Sequence, residues 1–214
     1  MTPSPAAVPA ENLPLQRIYH WESARAKRVF LTQPVGGGEL RNYSWAQAVG
    51  ESRRMAAWLK AQGFPDGARI AIMSKNCAHW IMADMAIWMA GYVSVPLYPT
   101  LTAASVRQVM EHSAARAIFA GGLDAWDTML AGVPDGVLRL SFPSSPGNDL
   151  PTWDAIVART EPLRGTPTRQ ADDLATIVYT SGTTGMPKGV MHSFATLGWM
   201  GAAAPRLMGF CAED

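Results

Sequence analysis

The sequence predicts an α/β fold, with helices flanking a layered and mostly parallel β-sheet. From about residue 15, short runs of β-branched and other apolar residues alternate with longer stretches of helical periodicity. This alternation is typical of parallel strands joined by covering helices. Hydrophobic residues make up 48% of the chain and charged residues 16%, so there is enough apolar material to bury a sizeable core. The proline-rich residues 1–14 are predicted to form a flexible tail.

Individual elements follow from local periodicity and from capping residues. Predicted strands cover residues 68–73, 92–97, 115–120, 137–140 and 176–179. Helices are predicted before the first strand, between the strands and after the last one, with caps, in chain order, at Ser44 (Gln47 completing a capping box), Ser74 or Asn76, Thr102 and Ser193. Shorter helices are expected near residues 123–130 and 153–158. Strand, helix and strand therefore succeed one another several times.

Charge and cysteine usage exclude some classes of partner. The 18 basic and 17 acidic side chains nearly balance, which gives no indication of a nucleic-acid partner. The two cysteines are far apart and in no metal-binding spacing, which favours a reducing compartment. The apolar residues 77–91 are fewer than the roughly 20 that a membrane span needs and include His79 and Asp84, so they predict a buried helix. With no secretory signal pattern at the start, the predicted location is cytoplasmic.

The segment that points to chemistry follows the last predicted strand. A run of hydroxyl side chains and glycines ends in a lysine, and the candidate ligand-binding residues are Thr180, Ser181, Gly182, Thr183, Thr184, Gly185 and Lys188. Glycines let the backbone turn and present successive N–H groups, hydroxyls donate hydrogen bonds, and a lysine supplies a point charge, which together suit a phosphate. Pro187 before the lysine and Gly189 after it do not match the Walker A pattern. A surface loop without a ligand is the alternative.

The order Thr-Ser-Gly-Thr-Thr-Gly-Met-Pro-Lys-Gly at residues 180–189 resembles the signature loop of the adenylate-forming superfamily. Residues 71–100 and 111–119 resemble the long-chain fatty-acid–CoA ligase branch of that superfamily. The resemblance covers residues 15–214, which we interpret as an incomplete N-terminal domain of the acyl-CoA synthetase fold.

The resemblance implies a two-step reaction with ATP, Mg²⁺ and coenzyme A. A carboxylic acid, expected to be a long-chain fatty acid, attacks ATP to give an acyl-adenylate, and the CoA thiol then displaces AMP. The loop would hold the β- and γ-phosphates, with Thr184 as the metal-binding residue. The family's later motifs do not occur in this sequence and its catalytic lysine is expected downstream, so we expect no catalytic residue within these 214 residues and no complete reaction from them.

Several alternatives remain open at this stage. His192, four residues after Lys188, is a candidate for the substrate side of the site, and a structural histidine is the competing interpretation. The acid could be an aryl acid or an amino acid, or the chain could be an inactive ATP-binding or assembly fragment, or a generic phosphate-binding module. Peripheral membrane contact and a homo-oligomer are also open.

Overall fold

The computed structural model describes residues 8–180 and 187–209, except the side chains of residues 205–208. The strands are β1 (Val29–Gly36), β2 (Glu39–Ser44), β3 (Arg69–Met73), β4 (Val93–Leu97), β5 (Ala117–Ala120), β6 (Leu138–Ser141), β7 (Leu174–Thr180) and β8 (Lys188–Ser193). The helices are α1 (Pro14–Arg25), α2 (Trp45–Ala61), α3 (Ala78–Met89), α4 (Ala103–Ser113), α5 (Trp126–Leu130), α6 (Trp153–Arg159) and α7 (Phe194–Met208).

A six-stranded sheet in the order β6-β5-β3-β4-β7-β8 organises the chain. All neighbouring pairs from β6 to β7 are parallel, whereas β7 and β8 are antiparallel. The predicted mostly parallel sheet is therefore confirmed. The strands β1 and β2 form a separate two-stranded antiparallel sheet.

Buried residues gather on both faces of the large sheet. On one face Ile70, Ile72 and Phe119 pack with α2, α3 and Trp153. On the other face Ala71, Val95 and Ile118 pack with residues of α4 and α5. Because both faces are covered, the central strands consist of nearly continuous apolar residues, as expected of parallel sheets.

Local hydrogen bonds explain where the helices begin. The capping box of α2 is present, since Ser44 Oγ accepts from the Gln47 amide at 3.2 Å and Gln47 Oε1 accepts from the Ser44 amide at 2.9 Å. Thr102 Oγ1 accepts from the Ser105 amide at the start of α4. Ser193 likewise accepts from the Thr196 amide at the start of α7. The predicted caps of these three helices are confirmed.

The predicted cap of α3 is wrong. Cys77 occupies the cap position and its side chain makes no capping hydrogen bond. Gln33 Oε1, on β1, accepts from the Ala78 amide at 2.8 Å instead. A side chain 45 residues earlier in sequence thus satisfies a free amide of the first turn, which local sequence reasoning could not anticipate.

Three parts of the fold were not predicted: α1, the β1–β2 hairpin and β8. Residues 1–7 of the predicted tail lie outside the described residues, whereas further along it Ala10–Asn12 form a 3-10 helix and Leu13 is only 2% exposed. Most residues of the hairpin strands are exposed, so they lack the alternating burial that reveals a strand in sequence. Among the described residues, no helix is both long and apolar enough to cross a membrane.

Candidate functional site

The loop predicted to bind phosphate connects the two strands of the β7–β8 hairpin. Thr180 is the last residue of β7 and Lys188 the first of β8, and the two are paired in register. Both are exposed. They lie at the carboxyl edge of the parallel strands, where ligands of open α/β sheets bind. The remaining predicted binding residues, Ser181, Gly182, Thr183, Thr184 and Gly185, lie outside the described residues.

Strands hold this loop at both ends, although the sequence predicted only the strand before it. β8 follows Pro187 immediately, so the lysine and the glycine after it belong to a strand and not to a loop. The ladder from Leu174–Ser193 to Thr180–Lys188 fixes the separation of the two loop ends. The pairing thus brings together two of the predicted phosphate ligands, a hydroxyl and an ammonium group.

Gly189 has a packing role that explains the glycine after the lysine. It is paired with Tyr179 across the hairpin. A Cβ atom at position 189 would lie 2.8 Å from Ile177 Cγ2 and 3.2 Å from Tyr179 Cζ. The absence of a side chain at position 189 therefore leaves space for the Tyr179 ring next to β8. In this position Tyr179 is only 6% exposed.

The Tyr179 hydroxyl shares a 2.7 Å hydrogen bond with His112 Nδ1, on α4. The two rings meet edge to face, with centroids 5.6 Å apart and an interplanar angle of 87°. Burial raises the pKa of the Tyr179 phenol, against a smaller lowering effect of Arg69, so the phenol keeps its proton at neutral pH. Sequence reasoning gave His112 no role; its position within residues 111–119 was the signal available.

A cleft of about 390 Å³ lies beside the first residue of the loop. It is formed by the carboxyl end of β4, the following loop, α4 and β7. Leu97 and Val109 give it apolar walls, while Gln108 and Thr180 contribute polar groups. The cleft is accessible from the loop, because Thr180 and Pro187 both line it.

His192, the candidate for the substrate side of the site, lies on β8, four residues after Lys188. It pairs with Thr176 of β7, which in turn pairs with Ser94 of β4, so the three side chains lie on one sheet face. At the usual rise per strand residue, His192 is roughly 13 Å from Lys188 along the strand. Its role on the substrate side of the site stays a prediction.

The described residues contain no group of three or more His, Cys, Asp or Glu side chains arranged to hold a metal ion. Thr184, the predicted Mg²⁺ ligand, lies outside them.

Comparison with known proteins identifies the family of the chain. The family described as AMP-binding enzyme matches residues 19–210. The chain therefore belongs to the AMP-binding enzyme family, and the resemblance stated from sequence is confirmed.

Relatives within that family include long-chain acyl-CoA ligases. The chain is 33% identical over 177 residues to the peroxisomal long chain acyl-CoA synthetase 6 of Arabidopsis thaliana, covering 75% of this chain and 25% of that protein. It is 37% identical over 159 residues to the long-chain-fatty-acid–CoA ligase FadD15 of Mycobacterium tuberculosis, covering 71% of this chain and 26% of that protein. The chain thus spans about a quarter of the length of these relatives.

A solved structure shows the same fold at low identity. The benzoate CoA ligase of Burkholderia xenovorans LB400 superposes with a TM-score of 0.79 and 21% identity, over 92% of this chain and 38% of that one. This likeness shows the architecture, namely that of the adenylate-forming CoA ligases.

Proposed function

We propose that this chain supplies the ATP-phosphate-binding part of an AMP-forming acid–CoA ligase. The pairing of Thr180 with Lys188 at the base of the β7–β8 hairpin is the observation that carries the proposal. It brings a hydroxyl and an ammonium group to the two ends of a glycine-rich loop, at the sheet edge where nucleotides bind. Family membership supplies the chemical context.

In the first step a carboxylate oxygen of the acid bonds to the α-phosphorus of ATP, and the bond from that phosphorus to the bridging oxygen of the β-phosphate breaks. Pyrophosphate leaves with the bonding electrons. The Lys188 ammonium group, close to the β- and γ-phosphates, would balance the charge that develops on pyrophosphate. Lys188 acts by charge and position, and no side chain of the loop becomes covalently linked.

In the second step the sulfur of coenzyme A bonds to the acyl carbon, AMP leaves, and the thiol loses its proton. Magnesium bound with the nucleotide would neutralise part of the phosphate charge. The exposed Thr180 offers a hydroxyl oxygen, and oxygen is the ligand type that magnesium takes. We propose Thr184 as the magnesium-binding hydroxyl of the same loop.

For the acid we propose a long-chain fatty acid, supported by the names of the two relatives given above. An aryl acid is the second candidate, favoured by the structural likeness to a benzoate CoA ligase. ATP–pyrophosphate exchange by the chain joined to the downstream region of its relatives separates the two. Palmitate-dependent exchange would support the fatty acid, and benzoate-dependent exchange would support the aryl acid.

The phosphate site is tested by calorimetric titration of the 214-residue chain with Mg·ATP and with magnesium pyrophosphate. Lys188→Ala should weaken binding of both about 10- to 100-fold, the usual effect of losing a charge-assisted contact. Lys75→Ala is the matched control, since Lys75 follows β3 at the same sheet edge and pairs with Asp124. Absence of binding to the unmodified chain, or an equal loss in both variants, would contradict the proposal.

A further inference from the structure

We propose that His112 is a positioning residue for the phosphate loop and acts through Tyr179. This inference rests on the proposed function, because it concerns the placement of Thr180 and Lys188, the two ends of the loop that phosphate binding would use. The physical basis is the 2.7 Å hydrogen bond between His112 Nδ1 and the Tyr179 hydroxyl. Tyr179 directly precedes Thr180, so a constraint on its side chain acts on the first residue of the loop.

The histidine is held by a well-anchored part of α4. Val109 and Met110, just before it, are almost fully buried. Ala114 ends the helix in the left-handed conformation, with φ 52°, and its amide donates to the carbonyls of Glu111 and Met110. A left-handed alanine costs energy that surrounding contacts must offset. The last turn of α4, which carries His112, is therefore held by buried residues before the histidine and by the helix-ending hydrogen bonds after it.

The tyrosine is constrained on its other side by β8. Its ring lies against Gly189, where an added Cβ atom would come within 3.2 Å of the ring atom Cζ, a tighter contact than usual. The Tyr179 side chain thus extends from β7 and its ring contacts β8. Its hydroxyl group is held by the hydrogen bond to His112 on α4. The hydrogen bond holds the ring in the place that keeps Thr180 and Lys188 opposite each other.

This arrangement connects two sequence segments that sequence reasoning treated separately. Residues 111–119 resembled the fatty-acid branch and residues 180–189 resembled the loop of the whole superfamily. The His112–Tyr179 hydrogen bond is a direct contact between them, 67 residues apart in sequence. Apolar packing alone would accept phenylalanine at position 179, so the hydroxyl and its partner serve to orient the ring.

The test combines amide hydrogen exchange over residues 187–191 with binding of magnesium tripolyphosphate, both on the 214-residue chain. His112→Leu and Tyr179→Phe each remove the hydrogen bond and should raise exchange and weaken binding about 5-fold, the usual effect of one lost hydrogen bond. The double variant should be no worse than either single variant, because both remove the same interaction. His112→Asn should restore both readouts, since its δ atoms occupy the place of Nδ1.

Glu111→Leu is the matched control on the same helix turn, since Glu111 is exposed and forms an ion pair with Arg107 of the same helix. It should leave both readouts unchanged. Three results would overturn the positioning role. They are equal amide exchange in the His112→Leu and unmodified chains, additive effects in the double variant, and a His112→Asn variant that restores neither slow exchange nor tripolyphosphate binding. An unmodified chain that shows the expected exchange pattern but binds no tripolyphosphate contradicts the proposed function and leaves the positioning of the hairpin supported.

Discussion

Asp84, on α3, is a half-buried acidic residue whose Oδ1 atom is inaccessible to solvent. Its Oδ1 atom makes no hydrogen bond to any described residue. Burial raises the pKa of the carboxyl group to about 7, and a hydrogen bond with Ser94 lowers it by a smaller amount. The burial of the Oδ1 atom itself accounts for the desolvation. Asp84 is therefore protonated in the folded chain under mildly acidic conditions.

This burial predicts that Asp84 makes stability depend on pH. An unfolded aspartate titrates near pH 4, so the folded state binds more protons between about pH 4 and 7 and stability falls as pH rises through that window. The loss is about 1.4 kcal/mol for each unit of pKa difference, as an upper bound. Urea unfolding at pH 5 and pH 8 should show Asp84→Asn more stable relative to the unmodified chain at pH 8 than at pH 5.

The exposed Asp135 provides the control, since Asp135→Asn should change stability equally at both pH values. An Asp84→Asn effect that is the same at pH 5 and pH 8 would show that the carboxyl group is solvated in the folded chain.

At the scale of elements, the β7–β8 hairpin determines the shape of the candidate site. Its strands are antiparallel in an otherwise parallel sheet. An antiparallel connection can be short, whereas a parallel crossover needs a dozen or more residues. This geometry returns the chain directly from Thr180 to Lys188, which a helix after β7 would not do.

Gly189→Ala should destabilise the hairpin by about 1–3 kcal/mol, the usual cost of overpacking. The added methyl group would lie 2.8 Å from Ile177 Cγ2. Gly50→Ala is the matched substitution, because Gly50 lies within α2 with no atom within 4 Å of the added Cβ. It should stabilise the chain by about 0.5–1 kcal/mol. Chemical unfolding measures both, and equal effects would show that the space at position 189 is not needed.

At the scale of the whole molecule, β8 is an edge strand of the large sheet among the described residues. Two of its apolar side chains are exposed, Val190 by 45% and Met191 by 70%. An exposed edge with apolar side chains favours pairing with another chain. The possibility of a homo-oligomer raised from sequence thus has a defined surface to test.

Met191→Lys should reduce self-association of the chain, because a lysine on an edge strand opposes strand pairing. Sedimentation velocity across a range of protein concentrations measures the change. Leu40→Lys is the control, since Leu40 is 62% exposed on β2, outside the large sheet. If both variants associate as the unmodified chain does, the β8 edge is not the surface involved.

The sequence by itself determined the fold class, the central strands and the family. Strands such as β3 and β5 were predictable because buried parallel strands are continuous apolar runs between turn residues. Ser44 and Thr102 were predictable because capping depends on residues three positions apart. The loop was predictable because its ordered run of glycines, hydroxyl residues and a lysine is specific to the signature loop of the superfamily.

Tertiary structure alone decided the features that depend on long-range contacts. The antiparallel direction of β8 and the space for Tyr179 at Gly189 arise from pairing across the hairpin. The Gln33 cap of α3 and the His112–Tyr179 hydrogen bond join residues 45 and 67 positions apart. Local sequence patterns contain no information on such pairs, because the packing of helices against the sheet determines which residues distant in sequence become hydrogen-bond partners.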